Sequence, residues 1–184
     1  MSRRYSGFSL TEVLVSVVVL AVGVLGVARM QLNALMTNRQ LAFHTAAMQL
    51  ASDMADKIRT NAGSMEEDGS PFLGIDYSSA TDEPGAPAAA CFNAVRCNAR
   101  KLAEFDIHEW ESQLRKSIPS GRARICRDDA PWDEGTRDFR WECSDSGPMV
   151  VKIGWRGRAA KDASKQNDGV FSPSVVMSVG VYPA

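Results

Sequence analysis

One acidic residue interrupts the most apolar segment of this chain. The segment runs from Phe8 to Ala28, and Glu12 is its single charged residue. A charged side chain inside a membrane-spanning helix costs about 2.5–3.5 kcal/mol on insertion scales. Pairing with an ammonium group at the same membrane depth would recover part of that cost. Glu12 is therefore the first candidate for a functional residue.

The cysteines are the second set of residues that could do chemistry, and they are Cys91, Cys97, Cys126 and Cys143. An even number of cysteines outside the cytoplasm predicts two disulfides, for which three pairings exist. We favour Cys91–Cys97, which closes a short loop, and Cys126–Cys143, which would join two strands. A zinc site would need a closer ligand pair such as C-x₂-C, and the sequence contains none.

The apolar segment has the length of one membrane span. Its 21 residues would rise about 31 Å as a helix, which matches a bilayer core. Arg3 and Arg4 precede it and only Arg29 follows closely, so the positive-inside rule places the N-terminus in the cytoplasm and the remainder outside. A cleavable secretory signal ending at Ala28 is the alternative. Glu12 and the helical pattern that continues beyond Ala28 argue against it.

Residues 7–14, GFSLTEVL, resemble the processing site of type IV prepilins and pseudopilins. The resemblance implies that residues 1–7 are a leader peptide, which a membrane peptidase removes by cutting between Gly7 and Phe8. It also implies N-methylation of Phe8 and makes Glu12 the assembly glutamate, the fifth residue of the mature chain. Two other interpretations of Glu12 stay open: pairing with the amine of its own Phe8, four residues away, and an unpaired carboxylate near the interface.

A softer resemblance points to minor pilins of the PilV type. It rests on residues 13–31 and on the stretch Ala103 to Gly121, which contains AEFD, a tryptophan and then IPSG. Ser9 and Thr11 depart mildly from the family pattern, in which threonine and an aliphatic residue are more frequent. The span also lacks the proline of many major pilins.

The helical pattern continues from residue 29 to about Asn61, and Gly63 is a plausible helix stop. Its apolar residues recur at spacings of three, four or seven and predict one buried stripe, formed by Leu32, Met36, Phe43, Ala47, Leu50, Met54 and Ile58. We therefore divide the chain into a leader, residues 1–7; a transmembrane helix, 8–28; an amphipathic continuation, 29–63; and a periplasmic globular domain, 64–184.

The globular domain combines helix and strand patterns. Residues 64–90 have the composition of a loop, and a second helix is expected from Asn98 to about Ser117, with Asp106 and Glu109 as a capping box. Strands are expected at residues 122–126, 139–143, 149–155 and 174–181. The predicted fold class is α+β and type IV pilin-like: a long N-terminal helix packed on a small antiparallel sheet.

The function class follows from what the sequence contains and lacks. A formal net charge of −1 gives no basic field for nucleic acid. No phosphate loop, zinc-protease motif or serine nucleophile motif is present, so we expect no enzyme and no cofactor or metal. The favoured function is a minor pilin that helps to initiate a type IV pilus or is incorporated into it. The alternatives are a minor pseudopilin of a type II secretion system and a membrane-anchored periplasmic binding protein or enzyme.

The resemblance also implies partners and location. The partners would be prepilin peptidase, other minor pilins, the major pilin, the inner-membrane assembly platform and a tip adhesin. The chain would first be a single-pass inner-membrane protein and then part of a fimbrium at the bacterial surface, which serves adhesion and twitching motility.

Overall fold

The computed structural model of the chain describes residues 9–61, 69–86, 91, 97–144, 146–156 and 171–180. The chain divides into two compact units, residues 1–41 and residues 42–184. Gly7 and Phe8, which flank the predicted cleavage point, and the predicted helix stop at Gly63 lie outside the described residues.

The first helix, α1, runs from Leu10 to Thr60. Its most apolar window has a mean hydropathy of 2.5 and is wholly exposed. By length and composition α1 could cross a membrane, and no other helix among the described residues could. A helix surrounded by lipid needs a continuous surface of apolar side chains such as these valines and leucines. Its backbone polar groups need no partner in the lipid, because they are bonded within the helix.

The C-terminal part of α1 buries a narrow stripe in the second unit. The buried residues follow helical spacing and are Ala47, Leu50, Ala51, Met54, Ala55 and Ile58. The prediction of burial was wrong for Leu32 and Met36, which are 56% and 45% exposed. Both residues belong to the first unit, whose described residues contain α1 alone.

The second helix, α2, runs from Ala99 to Ser117. Its N-cap is Asn98, whose side-chain oxygen accepts a hydrogen bond from the Lys101 backbone N at 2.9 Å. The predicted capping box at Asp106 and Glu109 was therefore wrong, because Asp106 lies inside the helix. Its carboxylate instead forms an ion pair with Lys57 Nζ at 2.8 Å, which joins α2 to α1.

Four antiparallel strands form the main sheet, in the order β1-β2-β5-β6. Their bounds are Ile75–Ser78 for β1, Gly121–Arg127 for β2, Met149–Trp155 for β5 and Val175–Val179 for β6. The strand β1 lies within the segment that composition had predicted to be a loop. The observed fold is the predicted α+β, pilin-like arrangement of a long apolar helix and a small antiparallel sheet.

A separate hairpin consists of β3, Trp132–Asp133, and β4, Asp138–Phe139. The predicted strand at residues 139–143 was wrong, since only Phe139 of that range is in a strand. The remaining residues lie over the outer face of the main sheet, where Cys143 is tied to Cys126 of β2. The alternation of polar and apolar residues in this stretch thus reflects a segment packed on a sheet.

The central strand β5 is covered on both faces, and all seven of its residues are buried. On the inner face Val151 and Ile153 join the apolar core with α1 and α2. Successive side chains of a strand alternate, so Lys152 and Gly154 point to the outer face. A Cβ atom at Gly154 would lie 2.7 Å from the Ser172 carbonyl oxygen and 3.0 Å from the Trp141 ring, so only glycine fits there.

Candidate functional site

Glu12 lies in the first turn of α1. Its backbone N donates to the Ser9 carbonyl oxygen at 3.0 Å, and its own carbonyl oxygen accepts a hydrogen bond from Ser16 Oγ at 2.7 Å. The residue is exposed, and a carboxylate at this end of a helix is favoured by the helix dipole. Within the described part of the chain Glu12 forms no ion pair.

The four cysteines form two disulfides, Cys91–Cys97 and Cys126–Cys143. This is the connectivity that the sequence analysis favours among the three possible pairings. All four sulfur atoms are used, so none of them is a zinc ligand. Cys91 precedes α2 and its Sγ lies 3.6 Å from the Lys101 carbonyl oxygen, whereas Cys126 belongs to β2.

We use the term outer layer for residues 128–144, which lie over the outer face of the main sheet. A buried ion pair fixes it: Lys152 Nζ donates to Asp128 Oδ2 at 2.5 Å, and both side chains are fully buried. The same ammonium donates to the carbonyl oxygens of Arg140, at 2.9 Å, and Glu142, at 2.6 Å. All three Lys152 donors are thereby satisfied, which a buried ammonium requires.

A second group of contacts holds Trp141 against the sheet. The Arg122 guanidinium lies 4.7 Å from the centroid of the Trp141 ring, and Arg124 Nη1 donates to the Trp141 carbonyl oxygen at 3.2 Å. Arg122 also donates two hydrogen bonds to Asp76, at 2.8 and 2.6 Å. These hydrogen bonds hold the pKa of Asp76 below its ordinary value, although burial acts in the opposite direction.

The loop that follows β1 is bonded to α2 through His108, Glu111 and Arg115. Gly85 N donates to Glu111 Oε2 at 3.2 Å, and the His108 ring bonds to the Gly85 carbonyl oxygen. Arg115 forms an ion pair with Glu83. Burial raises the pKa of Glu111, and the Gly85 N–H partly counteracts that shift.

Sequence reasoning missed the ion pair between Lys152 and Asp128. The signal was present, because a lysine at the centre of MVVKIGW, otherwise free of charge, needs either solvent or an acidic partner. The partner is 24 residues away along the chain, so the pattern alone could not supply it. No group of three or more metal-ligating side chains occurs in the described ranges.

The Cys126–Cys143 disulfide is expected to contribute to stability because it closes a loop of 17 residues in the unfolded chain. Cys126→Ser should lower the free energy of unfolding by about 2–4 kcal/mol. Chemical denaturation of the detergent-solubilised chain measures this, and exposed Lys116→Ala is the matched control. Non-reducing peptide mapping checks the connectivity, and a Cys91–Cys126 or Cys97–Cys143 peptide would contradict it.

The chain combines an apolar N-terminal helix with a small α+β domain that carries two disulfides, and this arrangement is pilin-like. Comparison with protein families agrees. The family model described as type IV pilin Tt1218 matches residues 29–108. The model described as prokaryotic N-terminal methylation motif matches residues 2–28. The two adjoining matches support the type IV pilin family, whose members are structural rather than enzymatic.

Other comparisons add no relative. No curated protein and no solved structure matches this chain significantly. The methylation-motif match contains Gly7, Phe8 and Glu12, and an apolar N-terminal helix fits a membrane-anchored pilin.

Proposed function

We propose that this chain is a minor pilin of the PilV type, processed by prepilin peptidase and assembled into a type IV pilus. The observation that carries the proposal is the methylation-motif match over residues 2–28, which is followed directly by the pilin match over residues 29–108. The first match covers the leader and the apolar helix. The second covers the amphipathic part of α1 and the first half of α2.

The proposal assigns a role to each residue of the processing motif. Cleavage between Gly7 and Phe8 removes Arg3 and Arg4 and creates a new amine on Phe8, which is then methylated. That amine is at the same end of the helix as Glu12. An ammonium paired with a carboxylate regains part of the cost of burying either group in the membrane. We propose that Glu12 of one subunit pairs with the N-terminus of a neighbouring subunit.

The proposal extends to the remaining organisation of the chain. Residues 8–28 span the inner membrane before assembly, residues 29–63 contain the continuation of the helix to Thr60, and residues 64–184 are periplasmic. Its partners are other minor pilins, the major pilin, the assembly platform and a tip adhesin, and its final location is the fimbrium. A minor pseudopilin of a type II secretion system shares the leader and fold, and recovery of the chain in sheared pili distinguishes the two.

Processing gives the first test of this function. We expect the mature chain to begin with N-methylated Phe8, as measured by intact mass and N-terminal sequencing of protein purified from membranes. Gly7→Val should leave the leader attached. The valine side chain would stand beside the cleaved bond, where glycine leaves room for the peptidase. Ser6→Val is the control and should be processed normally. A mature chain that begins at Met1 or at Arg29 would contradict the proposal.

A further inference from the structure

Residues 79–86 follow β1 directly and are bonded along one face of α2; we call them the strap. His108, Glu111 and Arg115 form this face, because residues three and four apart are neighbours on a helix surface. Gly85 is held through both of its backbone groups. Its N donates to Glu111 Oε2 at 3.2 Å, and its carbonyl oxygen is bonded to the His108 ring. The Gly85 amide therefore reports whether the strap lies on α2.

The start of the strap is fixed, whereas its middle is held near the surface. Ser79 is buried, and its Oγ donates to the Ile118 carbonyl oxygen at 3.0 Å. Arg115 donates to the Asp82 carbonyl oxygen at 3.4 Å and to Glu83 Oε1 at 2.8 Å. The Glu83 side chain is 82% exposed. Polar contacts of this kind open at a lower free energy than an apolar core, so the strap can lift while the domain stays folded.

The closed strap disfavours the charged form of Glu111. Burial raises the pKa of the Glu111 carboxyl, and the nearby Asp82 acts in the same direction. The Gly85 N–H and the His108 ring act in the opposite direction, but burial is the largest cause. Lifting Gly85 from the carboxyl returns it to water and removes the Asp82 charge. The closed strap therefore holds a proton on Glu111 more tightly than the open strap does.

The sign of the pH dependence follows from this difference. Because the closed-state pKa of Glu111 is raised, its contribution to closure is complete below the ordinary value of 4.5 and is lost as the pH rises through the raised value. Glu83 acts oppositely, since its hydrogen bond to Arg115 holds the Glu83 pKa below 4.5. The ion pair therefore supports closure above pH 4.5 and is lost only in stronger acid.

The other groups around this face leave Glu111 as the group that responds between pH 4.5 and 7.5. They are Tyr77 of β1, Asp82 of the strap, and His108 and Arg115 of α2. Burial raises the pKa of Tyr77 above 10, and the Glu83 carboxylate raises the pKa of Arg115, so neither group titrates in this range. A histidine ring can donate to a carbonyl oxygen whether it is neutral or charged, so the bond from His108 to Gly85 persists.

We propose that the strap is a pH-dependent cover of α2, which closes when the medium is acidified to about pH 4.5 and loosens towards neutral pH. Glu111 is the responding group, and Ser79 is the fixed point about which the strap moves. Loosening uncovers the face of α2 that His108, Glu111 and Arg115 form. The device is built from contacts within the folded domain and goes beyond the proposed pilin function, which it does not require.

Hydrogen exchange of the Gly85 amide tests the proposal. NMR of the full, isotope-labelled chain in detergent micelles measures the exchange rate, which is divided by the rate of an unstructured chain at the same pH. Protection of Gly85 should be about threefold greater at pH 4.5 than at pH 7.5, within the limit of tenfold per pH unit that one proton allows. The Ser174 amide, which donates to the Ile153 carbonyl oxygen at 2.9 Å, is the reference and should not respond.

Three variants assign the response. Glu111→Gln keeps an acceptor for the Gly85 N–H but cannot titrate, so its protection at pH 7.5 should equal that of the wild type at pH 4.5 and should not change with pH. Glu109→Gln alters an exposed carboxylate of the same helix and should respond like the wild type. Glu83→Gln removes the ion pair, so it should lower protection at both pH values and keep the ratio between them.

Three results would overturn the proposal. Gly85 could be unprotected at both pH values, which would show that the strap does not close. Its protection could stay constant or fall on acidification, which would contradict the sign of the effect. Glu111→Gln could respond to pH like the wild type, which would assign the response to another group such as His108. None of these results bears on where the mature chain begins, so failure here is distinguishable from failure of the proposed function.

Discussion

Glu12→Ala is expected to insert and lose its leader normally but to be depleted about tenfold in sheared pili. The substitution leaves Gly7 and Phe8 intact, so the processing site is unchanged. It removes the carboxylate that we propose to pair with the Phe8 amine of a neighbour. Tenfold depletion from the pilus fraction corresponds to about 1.4 kcal/mol of lost pairing, well within the cost of an unpaired charge in a membrane. Quantitative immunoblotting of membrane and pilus fractions measures the effect.

Neighbouring substitutions separate the possible roles of this carboxylate. Thr11→Ala keeps Glu12 and should enter pili at the wild-type level. Glu12→Gln keeps a polar side chain of the same length without charge, so it should be depleted like the alanine variant if pairing requires the ion. If Glu12→Ala reaches pili at the wild-type level, the carboxylate pairs only within its own chain or has no partner, and the proposed intersubunit contact is wrong.

Lys152→Met is expected to destabilise the globular domain strongly. It leaves Asp128 fully buried with only Arg140 Nη2, 4.0 Å from its Oδ1, as a counter-charge, and it frees the carbonyl oxygens of Arg140 and Glu142. Breaking a buried pair by removing one partner costs about 3–5 kcal/mol. Chemical denaturation of the detergent-solubilised chain, followed by tryptophan fluorescence, measures the free energy of unfolding.

A double variant distinguishes loss of the charge balance from loss of packing. Lys152→Met combined with Asp128→Asn removes both charges and keeps the acceptor for the Ala130 N–H, which bonds to Asp128 Oδ1 at 3.0 Å. It should recover more than half of the loss caused by Lys152→Met. Lys116→Met, on the exposed side of α2, should change stability by less than about 0.5 kcal/mol. Equal stability of Lys152→Met and Lys116→Met would show that the pair contributes nothing.

The sequence predicted the parts of the fold that periodicity encodes. Ala47, Leu50, Met54 and Ile58 recur at helical spacing, and these side chains are buried as predicted. The strand β1 was missed because its four residues, IDYS, are too few to show an alternation and follow a turn-rich stretch. The N-cap of α2 was placed wrongly because Asp106 has the local spacing of a capping box, whereas its actual partner, Lys57, is 49 residues away.

The residues of the candidate site could be predicted from the sequence only where they are close together along the chain. Gly7, Phe8 and Glu12 stand in one short motif, so the sequence alone could indicate them, whereas their roles remain proposals. The ion pair between Asp128 and Lys152 depends on the outer layer lying over β5, and no local pattern encodes that placement. The alternation at residues 139–143 wrongly indicated a strand. A segment that packs on top of a sheet buries residues with a spacing similar to that of a strand inside the sheet.

The outer layer and the helix–sheet core are held by different kinds of contact, so we expect them to open with different free energies. The helices and the inner face of the sheet are joined by apolar contacts among many residues, whereas the outer layer depends on a disulfide, a buried ion pair and the packing of Trp141. Reduction removes one of these three contacts, so we expect the reduced outer layer to open locally at a lower free energy than the helix–sheet core. The disulfide would then raise the free energy of the local opening through which β5 amides exchange with solvent.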